Sequence, residues 1–315
     1  MVLLSTVHAS NNRIASTLPK GLVAVFVGAT SGIGEYTLKH FVQKASSPRV
    51  YLVGRSQEAG NRIVAECQAL NPEGSISFAQ ADVGLLRGVD EVCRVIKKRE
   101  STLNILFMTQ GSLTAKFATD EDLRLSTSLH YYSRMRFIVN LLPLLENAPG
   151  LRRVVGVFAG GMEGEIHSDD LQAWKLKGVA RRSHISAMLT LGLERMACQA
   201  PSVSFIHEFP GLVHTAAVDH WPGVVGVIVR LVVFLFGRFL CVSREEGSPV
   251  EGELTPIAGT AGASGGGVYS LGWNGENGGP KSEKALMDLR VAGMDKKLKA
   301  HTEAEFQRVT GRPLI

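Results

Sequence analysis

One turn constrains this chain more than any other stretch. Gly28-Ala-Thr-Ser-Gly32-Ile-Gly34 stands between an apolar run, Leu22 to Val27, and a segment with helical patterning. A short apolar run, a glycine turn and a helix start make the opening unit of a parallel β-α-β sheet. The glycines let the backbone turn sharply and approach a ligand with no Cβ in the way. The helix start offers free N–H groups and a partial positive charge, which suit a phosphate. Gly28, Thr30, Ser31, Gly32, Ile33 and Gly34 are therefore expected to hold a nucleotide.

The remaining chain repeats the alternation. Its patterning predicts strands at Leu22–Gly28, Arg49–Gly54, Ile76–Gln80, Asn104–Thr109, Leu151–Phe158, Val203–Glu208 and Val268–Trp273. Helices are predicted at Gly32–Lys44, Gln57–Leu70, Leu85–Glu100, Asp120–Asn147 and Ser183–Cys198, with a charged helical tail at Lys281–Arg308. Such alternation implies a mostly parallel, doubly wound α/β sheet of Rossmann type, one domain over residues 1–315. Residues 214–263 have no counterpart in the pattern and read as a lid inserted over the strand C-termini, and 281–315 as a helical tail.

Composition narrows the partners. The net charge is +5, with basic residues scattered or paired, as at Lys97-Lys98, Arg152-Arg153 and Arg181-Arg182. Without basic clusters interleaved with aromatics, the chain is not expected to bind nucleic acid, and most of this charge reads as a solvated surface. Cys67, Cys93, Cys198 and Cys241 show no metal spacing and suit a reducing, cytoplasmic setting as buried apolar residues. The apolar part of the first eight residues is short for a secretory signal. Residues 223–242 are apolar and long enough to span a membrane, but Arg230 and Arg238 lie within them. Each arginine would cost about 2.5–3.5 kcal/mol at mid-bilayer, so a lid helix or a peripheral helix in the membrane interface is expected instead.

The end of the second strand bears on the nucleotide. Gly54-Arg55-Ser56 puts a guanidinium and a hydroxyl where an acidic residue would hold an adenosine ribose. That favours a 2′-phosphate, and hence NADP. Asp82-Val83, after the third strand, is placed to hold the adenine.

From Leu22 to Thr215 the chain resembles the short-chain dehydrogenase/reductase family. The resemblance rests on the glycine loop, Asp82-Val83, the Leu141-Leu-Pro-Leu-Leu145 helix end, and Pro210-Gly211 with Thr215. The segment from Tyr131 to Pro143 looks most like fungal members from secondary-metabolite pathways. The resemblance implies NADP contacts from Gln110 and Gly111, after the fourth strand, and from Pro210, Gly211 and Thr215. It also implies subunit pairing through the long helices.

The family's reaction uses Asn, Ser, Tyr and Lys. Matched to this chain, those positions fall on His130, Ala159, Ala180 and His184, and no tyrosine occurs between Ser133 and Val268. A positioned acid contributes about 10²–10⁴ in rate, so the family's mechanism does not carry over. His184 and His130 are the candidate replacements. His167, Asp169, Asp170 and the Arg181-Arg182 pair are further residues able to reach the pocket. Two readings stay open. One is an NADP-dependent reductase of an apolar secondary metabolite, working by an atypical mechanism. The other is a non-redox cyclase or isomerase, or a catalytically silent binding protein, on the same fold.

Overall fold

A computed structural model describes residues 9, 11–112, 117–211 and 267–312. Seven strands form one sheet: β1 (Val23–Val27), β2 (Arg49–Gly54), β3 (Ser75–Gln80), β4 (Ile105–Met108), β5 (Arg153–Val157), β6 (Ser204–Glu208) and β7 (Gly267–Leu271). Their order is β3-β2-β1-β4-β5-β6-β7, and every pairing is parallel. The five residues of β1 are all buried. That continuous apolar run, without alternation, is what a strand covered on both faces requires.

Helices close both faces. α1 (Gly32–Lys44) and α2 (Gln57–Leu70) contribute Leu38, Phe41, Ile63 and Cys67 to one apolar layer with Phe26, Phe107 and Ile206. α3 (Leu86–Arg99), α4 (Ser133–Glu146) and α5 (Gly178–Gln199) build the other, with Val89, Phe137, Ile138 and Leu189. The tail, α6 (Pro280–Val291) and α7 (Met294–Thr310), adds Leu289, Leu298 and Phe306 to that second layer.

Three helix boundaries differ from the sequence expectation. The segment expected to be helical from Asp120 begins only at Leu125, because Asp122 takes a left-handed φ of 56° in a turn. Glu121 has another task there: its carboxylate accepts the Leu86 and Arg87 N–H groups at 2.6 and 3.0 Å. It thereby caps α3, whose own N-cap residue is a leucine that cannot. Before α4 the chain passes through a π-helical turn, Ser128–Tyr132. The helix expected from Ser183 begins earlier, at Gly178. The tail is two helices, broken where Gly293 turns left-handed at φ 65°.

Burial marks exceptions to the mostly solvated basic surface expected from the sequence. Arg134, Arg136 and Arg153 are all buried. Arg136 pairs with Asp90 through two bonds of 2.6 and 2.8 Å and lies 5.1 Å from the Phe306 ring, tying α4 to the tail. Cys198 is exposed, unlike the buried Cys67 and Cys93. Among the described residues no helix is long and apolar enough to cross a membrane. Residues 223–242, Cys241 and Thr215 lie outside the described residues, as does the whole expected lid.

Candidate functional site

The strand order reverses between β1 and β4, and there the C-terminal ends of neighbouring strands lead to opposite faces. Such a switch point opens the crevice in which sheets of this kind bind ligands. Gly28 leaves β1 at φ 78°, and a Cβ on it would lie 2.6 Å from the Gln110 nitrogen. A Cβ on Gly34 would lie 2.5 Å from Thr109 Oγ1 and 2.8 Å from the Ala29 α-carbon. Gly32 opens α1 at φ 58°. The cradle is thus close-packed backbone that only glycine permits. Thr109 Oγ1 donates to the Val27 or Gly28 carbonyl, each at 3.2 Å, fixing the β4 end against the loop. Ser31 is extended and its side chain makes no cap bond. The first N–H groups of α1 are therefore left to a ligand.

The other residues expected at the nucleotide lie in the glycine loop and after the ends of β2, β3, β4 and β6. Thr30 and Ile33 are half-buried and Ser31 is exposed in the loop itself. Arg55 is exposed at the end of β2. Ser56 uses its hydroxyl oxygen to cap α2, accepting from the Ala59 N–H at 3.2 Å. Asp82 accepts from the Gly84 N–H at 2.9 Å and shapes the turn after β3, beside buried Val83. Gln110 is buried, with its Nε2 3.5 Å from Ser133 Oγ. Gly111 lies under His130, and Gly211 follows Pro210 at φ 79°.

The candidate proton-transfer residues divide. His184 is fully buried on α5. Its Nδ1 accepts the His167 N–H at 3.1 Å, so its Nε2 carries the hydrogen and faces the Leu171 carbonyl at 3.3 Å. Both ring nitrogens serve the loop after β5, and burial holds its pKa below the ordinary value. In this arrangement His184 fastens a loop and has no nitrogen left for a substrate. Asp170 likewise accepts the Trp174 and Lys175 N–H groups at 2.8 and 2.7 Å, and Asp169 is exposed near Lys175. The His167 ring stacks on His184 with centroids 6.0 Å apart. Arg182 lies 5.1 Å from the Phe209 ring.

His130 is placed differently. It sits in the π-helical turn, half-buried, stacked on Phe158 at 4.2 Å. Turns of this kind concentrate at functional sites. Its neighbours Tyr131 and Tyr132 turn away, their hydroxyls meeting Thr302 Oγ1 at 2.8 Å and His301 Nε2 at 2.6 Å on the tail. Neither phenol faces the crevice.

Sequence reading missed a buried network beneath the site. Ala159 N–H donates to His207 Nε2 at 3.2 Å, so Nδ1 carries the hydrogen and lies 2.8 Å from Thr190 Oγ1. Thr190 donates to Glu163 Oε1 at 2.7 Å, Ser270 donates to the same oxygen at 2.6 Å, and Ser282 donates to Oε2. Burial alone would push the Glu163 carboxyl up, but the His207 ring 3.5 Å away and the bonds from Ser270 and Ser282 outweigh it and hold it down to about 2. The loop after β5 is thereby locked to α5, β6, β7 and the start of α6. Only the charge of Glu163 within a glycine-rich turn hinted at this in the sequence.

Glu208 ends β6 in the opposite condition. It is buried, its Oε2 has no hydrogen-bond partner, and burial raises its pKa well above the ordinary value. A raised carboxyl favours the fold below its unfolded pKa of roughly 4.3 and loses that advantage as pH rises toward the folded value. Glu208→Gln is therefore expected to raise the melting temperature at pH 8 and leave it nearly unchanged at pH 4. Equal shifts at both pH values would contradict this assignment.

A family model described as short chain dehydrogenase matches residues 22–150. Oxidoreductase AN1596 of Emericella nidulans is 36% identical over 340 residues, covering 99% of this chain and 100% of that protein. Short-chain dehydrogenase/reductase SAT2 of Stachybotrys chartarum is 31% identical, covering 81% and 84%. Among solved structures, RhlG of Pseudomonas aeruginosa, an NADP active-site complex, superposes with a TM-score of 0.55 at 18% identity, covering 79% and 93%.

Proposed function

The chain belongs to the short-chain dehydrogenase/reductase family, and from that premise we propose that it is an NADP-dependent oxidoreductase. We further propose an apolar secondary metabolite as substrate, and a mechanism that does without the family's tyrosine. The glycine cradle at the switch point carries the reading. A Cβ on Gly28 or Gly34 would collide with the residues after β4 or with the loop's own backbone, so only glycine lets the loop pack this tightly, and the start of α1 is uncapped. These features fit a dinucleotide's pyrophosphate. When bound, such a cofactor supplies or accepts a hydride. The chain's own part is to hold it, to orient the substrate and to exclude water.

NADP rather than NAD is supported by Arg55, exposed at the end of β2, with no carboxylate in the matching position. A guanidinium pairs bidentately with a phosphate, so Arg55→Ala should weaken NADPH by about tenfold or more and leave NADH nearly unchanged. Fluorescence titration of both cofactors checks this. An equal loss for both would remove Arg55 as the discriminating residue.

That no phenol faces the crevice among the described residues, with both His184 nitrogens engaged by backbone, favours a second reading. In it the protein is a cyclase, an isomerase or a silent binder. 4-Deuterated NADPH and a panel of polycyclic and polyketide ketones separate the two. Deuterium in a product supports the oxidoreductase. A product formed without deuterium or NADPH consumption supports the second reading.

A further inference from the structure

His130 and Arg134, one helical turn apart, lie on one phenylalanine under the ends of β4 and β5. The His130 ring stacks on Phe158, and the Arg134 guanidinium carbon is 5.9 Å from the same ring's centroid. Arg134 is fully buried. Its Nη2 donates to the Gln110 and Val157 carbonyls, both at 2.9 Å, and its Nε and Nη1 have no hydrogen-bond partner. No ion pair joins Arg134 to a carboxylate among the described residues. Burying a guanidinium without a counter-ion costs several kcal/mol, which two strand-end carbonyls offset only in part.

The His130 ring has one defined orientation. Nδ1 is 2.7 Å from the Ser126 carbonyl, which can only accept, so Nδ1 carries the hydrogen. In the neutral ring Nε2 is then a bare acceptor. It lies directly over Gly111, where a Cβ would come within 2.7 Å. A second proton on this ring would set two cations against Phe158 in a poorly hydrated space. Burial opposes that proton most, then Arg134, and Arg181 from α5 acts in the same sense; only the Ser126 carbonyl favours it. Gly111 and Phe158 contribute no charge.

We infer that Arg134 is a positioning residue that fixes His130 as a neutral imidazole with its Nε2 lone pair open to the site, so that the ligand group meeting it is a hydroxyl. This rests on the reading of the switch-point crevice as the ligand site. A ring that resists protonation selects a hydrogen-bond donor and orients it without taking its proton. His130 is then a binding acceptor for a hydroxyl, either of the substrate or of the cofactor's ribose, and not the missing acid.

Histidine-labelled full-length protein tests this by two-bond ¹⁵N–¹H correlation spectra from pH 8 down to pH 3.5, with His130→Gln used for assignment. From pH 8 to 5 His130 should keep hydrogen on Nδ1 and a bare Nε2, whereas a free histidine is half-protonated at about 6.5, and the acid end of the range reads the midpoints of the Arg134 variants. Arg134→Met should raise the His130 midpoint by about one pH unit, and Arg134→Lys should restore the wild-type behaviour, which a packing role alone would not. If Arg134→Met does not fold, Arg134→Gln gives the same comparison with a neutral polar group. Wild-type titration near 6.5, hydrogen on Nε2, or a midpoint indifferent to the Arg134 charge would overturn the inference. Added NADP⁺ that shifts the Nε2 resonance upfield assigns the hydroxyl to the cofactor. NADP⁺ that binds without this shift assigns it to the substrate. The unloaded spectra report on His130 whether or not the protein binds NADPH, so a failure of the cofactor reading shows separately.

Discussion

Gly28→Ala should lower NADPH affinity at least about tenfold and destabilise the fold by about 3 kcal/mol. Two costs add at this position. Gly28 has φ 78°, a left-handed conformation that costs a residue with a Cβ roughly 1–2 kcal/mol. The added methyl would also lie 2.6 Å from the Gln110 nitrogen and 2.7 Å from its α-carbon. Those atoms are backbone in a packed core, so relieving the overlap costs about 1–3 kcal/mol more. Relief requires the β1 and β4 ends to part, and that movement disrupts the phosphate cradle. Gly178→Ala is the control. Gly178 is also left-handed, at φ 52°, but its Cβ would meet nothing within 4 Å. It should cost only about 1 kcal/mol and leave NADPH affinity unchanged. Thermal denaturation and fluorescence titration read both quantities, and equal effects of the two variants would refute the cradle argument.

Glu163→Ala should be the most destabilising change outside the glycine loop, costing about 3–5 kcal/mol. The carboxylate accepts from Thr190, Ser270 and Ser282, and it lies 3.5 Å from His207 Nδ1. Removing it leaves the hydroxyls of Thr190, Ser270 and Ser282 without that acceptor, two of them buried, and frees the loop after β5 from four elements. The pH dependence follows from the depressed carboxyl. Its folded value, about 2, is below the ordinary 4.5, so its stabilisation is full above 4.5 and fades as pH falls toward 2. The stability gap between wild type and Glu163→Ala should therefore be widest at neutral pH and shrink below about 4.5. A gap that stays constant down to pH 2.5 would show that the carboxylate charge contributes nothing.

Most of the sheet was legible in the sequence because its elements obey local rules. Gly32–Lys44, Arg49–Gly54 and Gln57–Leu70 match their expected bounds, since a glycine turn, a proline at 48 and Asn71-Pro72 mark them chemically. The long helix was misjudged at its start because Glu121 and Asp122 carry out tertiary tasks, a remote cap and a left-handed turn, that have no periodic signature. The phosphate loop was readable for the same local reason. The deeper site was not. His184 was a candidate from its match to the family's lysine, but its partners are backbone groups of a loop 13 to 17 residues away. Nothing along the chain sets Arg134 apart from the other basic residues. Only the packing of α4 against the strand ends shows it buried beside His130. Glu163, His207, Ser270 and Ser282 meet from four elements, so no spacing along the chain could join them.

The most direct test of the whole account is equilibrium binding of NADPH and NADH to the wild-type chain, read by cofactor fluorescence. The switch-point cradle with Arg55 predicts saturable NADPH binding, with NADH weaker by about tenfold or more. Failure to bind either cofactor, or a preference for NADH, would contradict it.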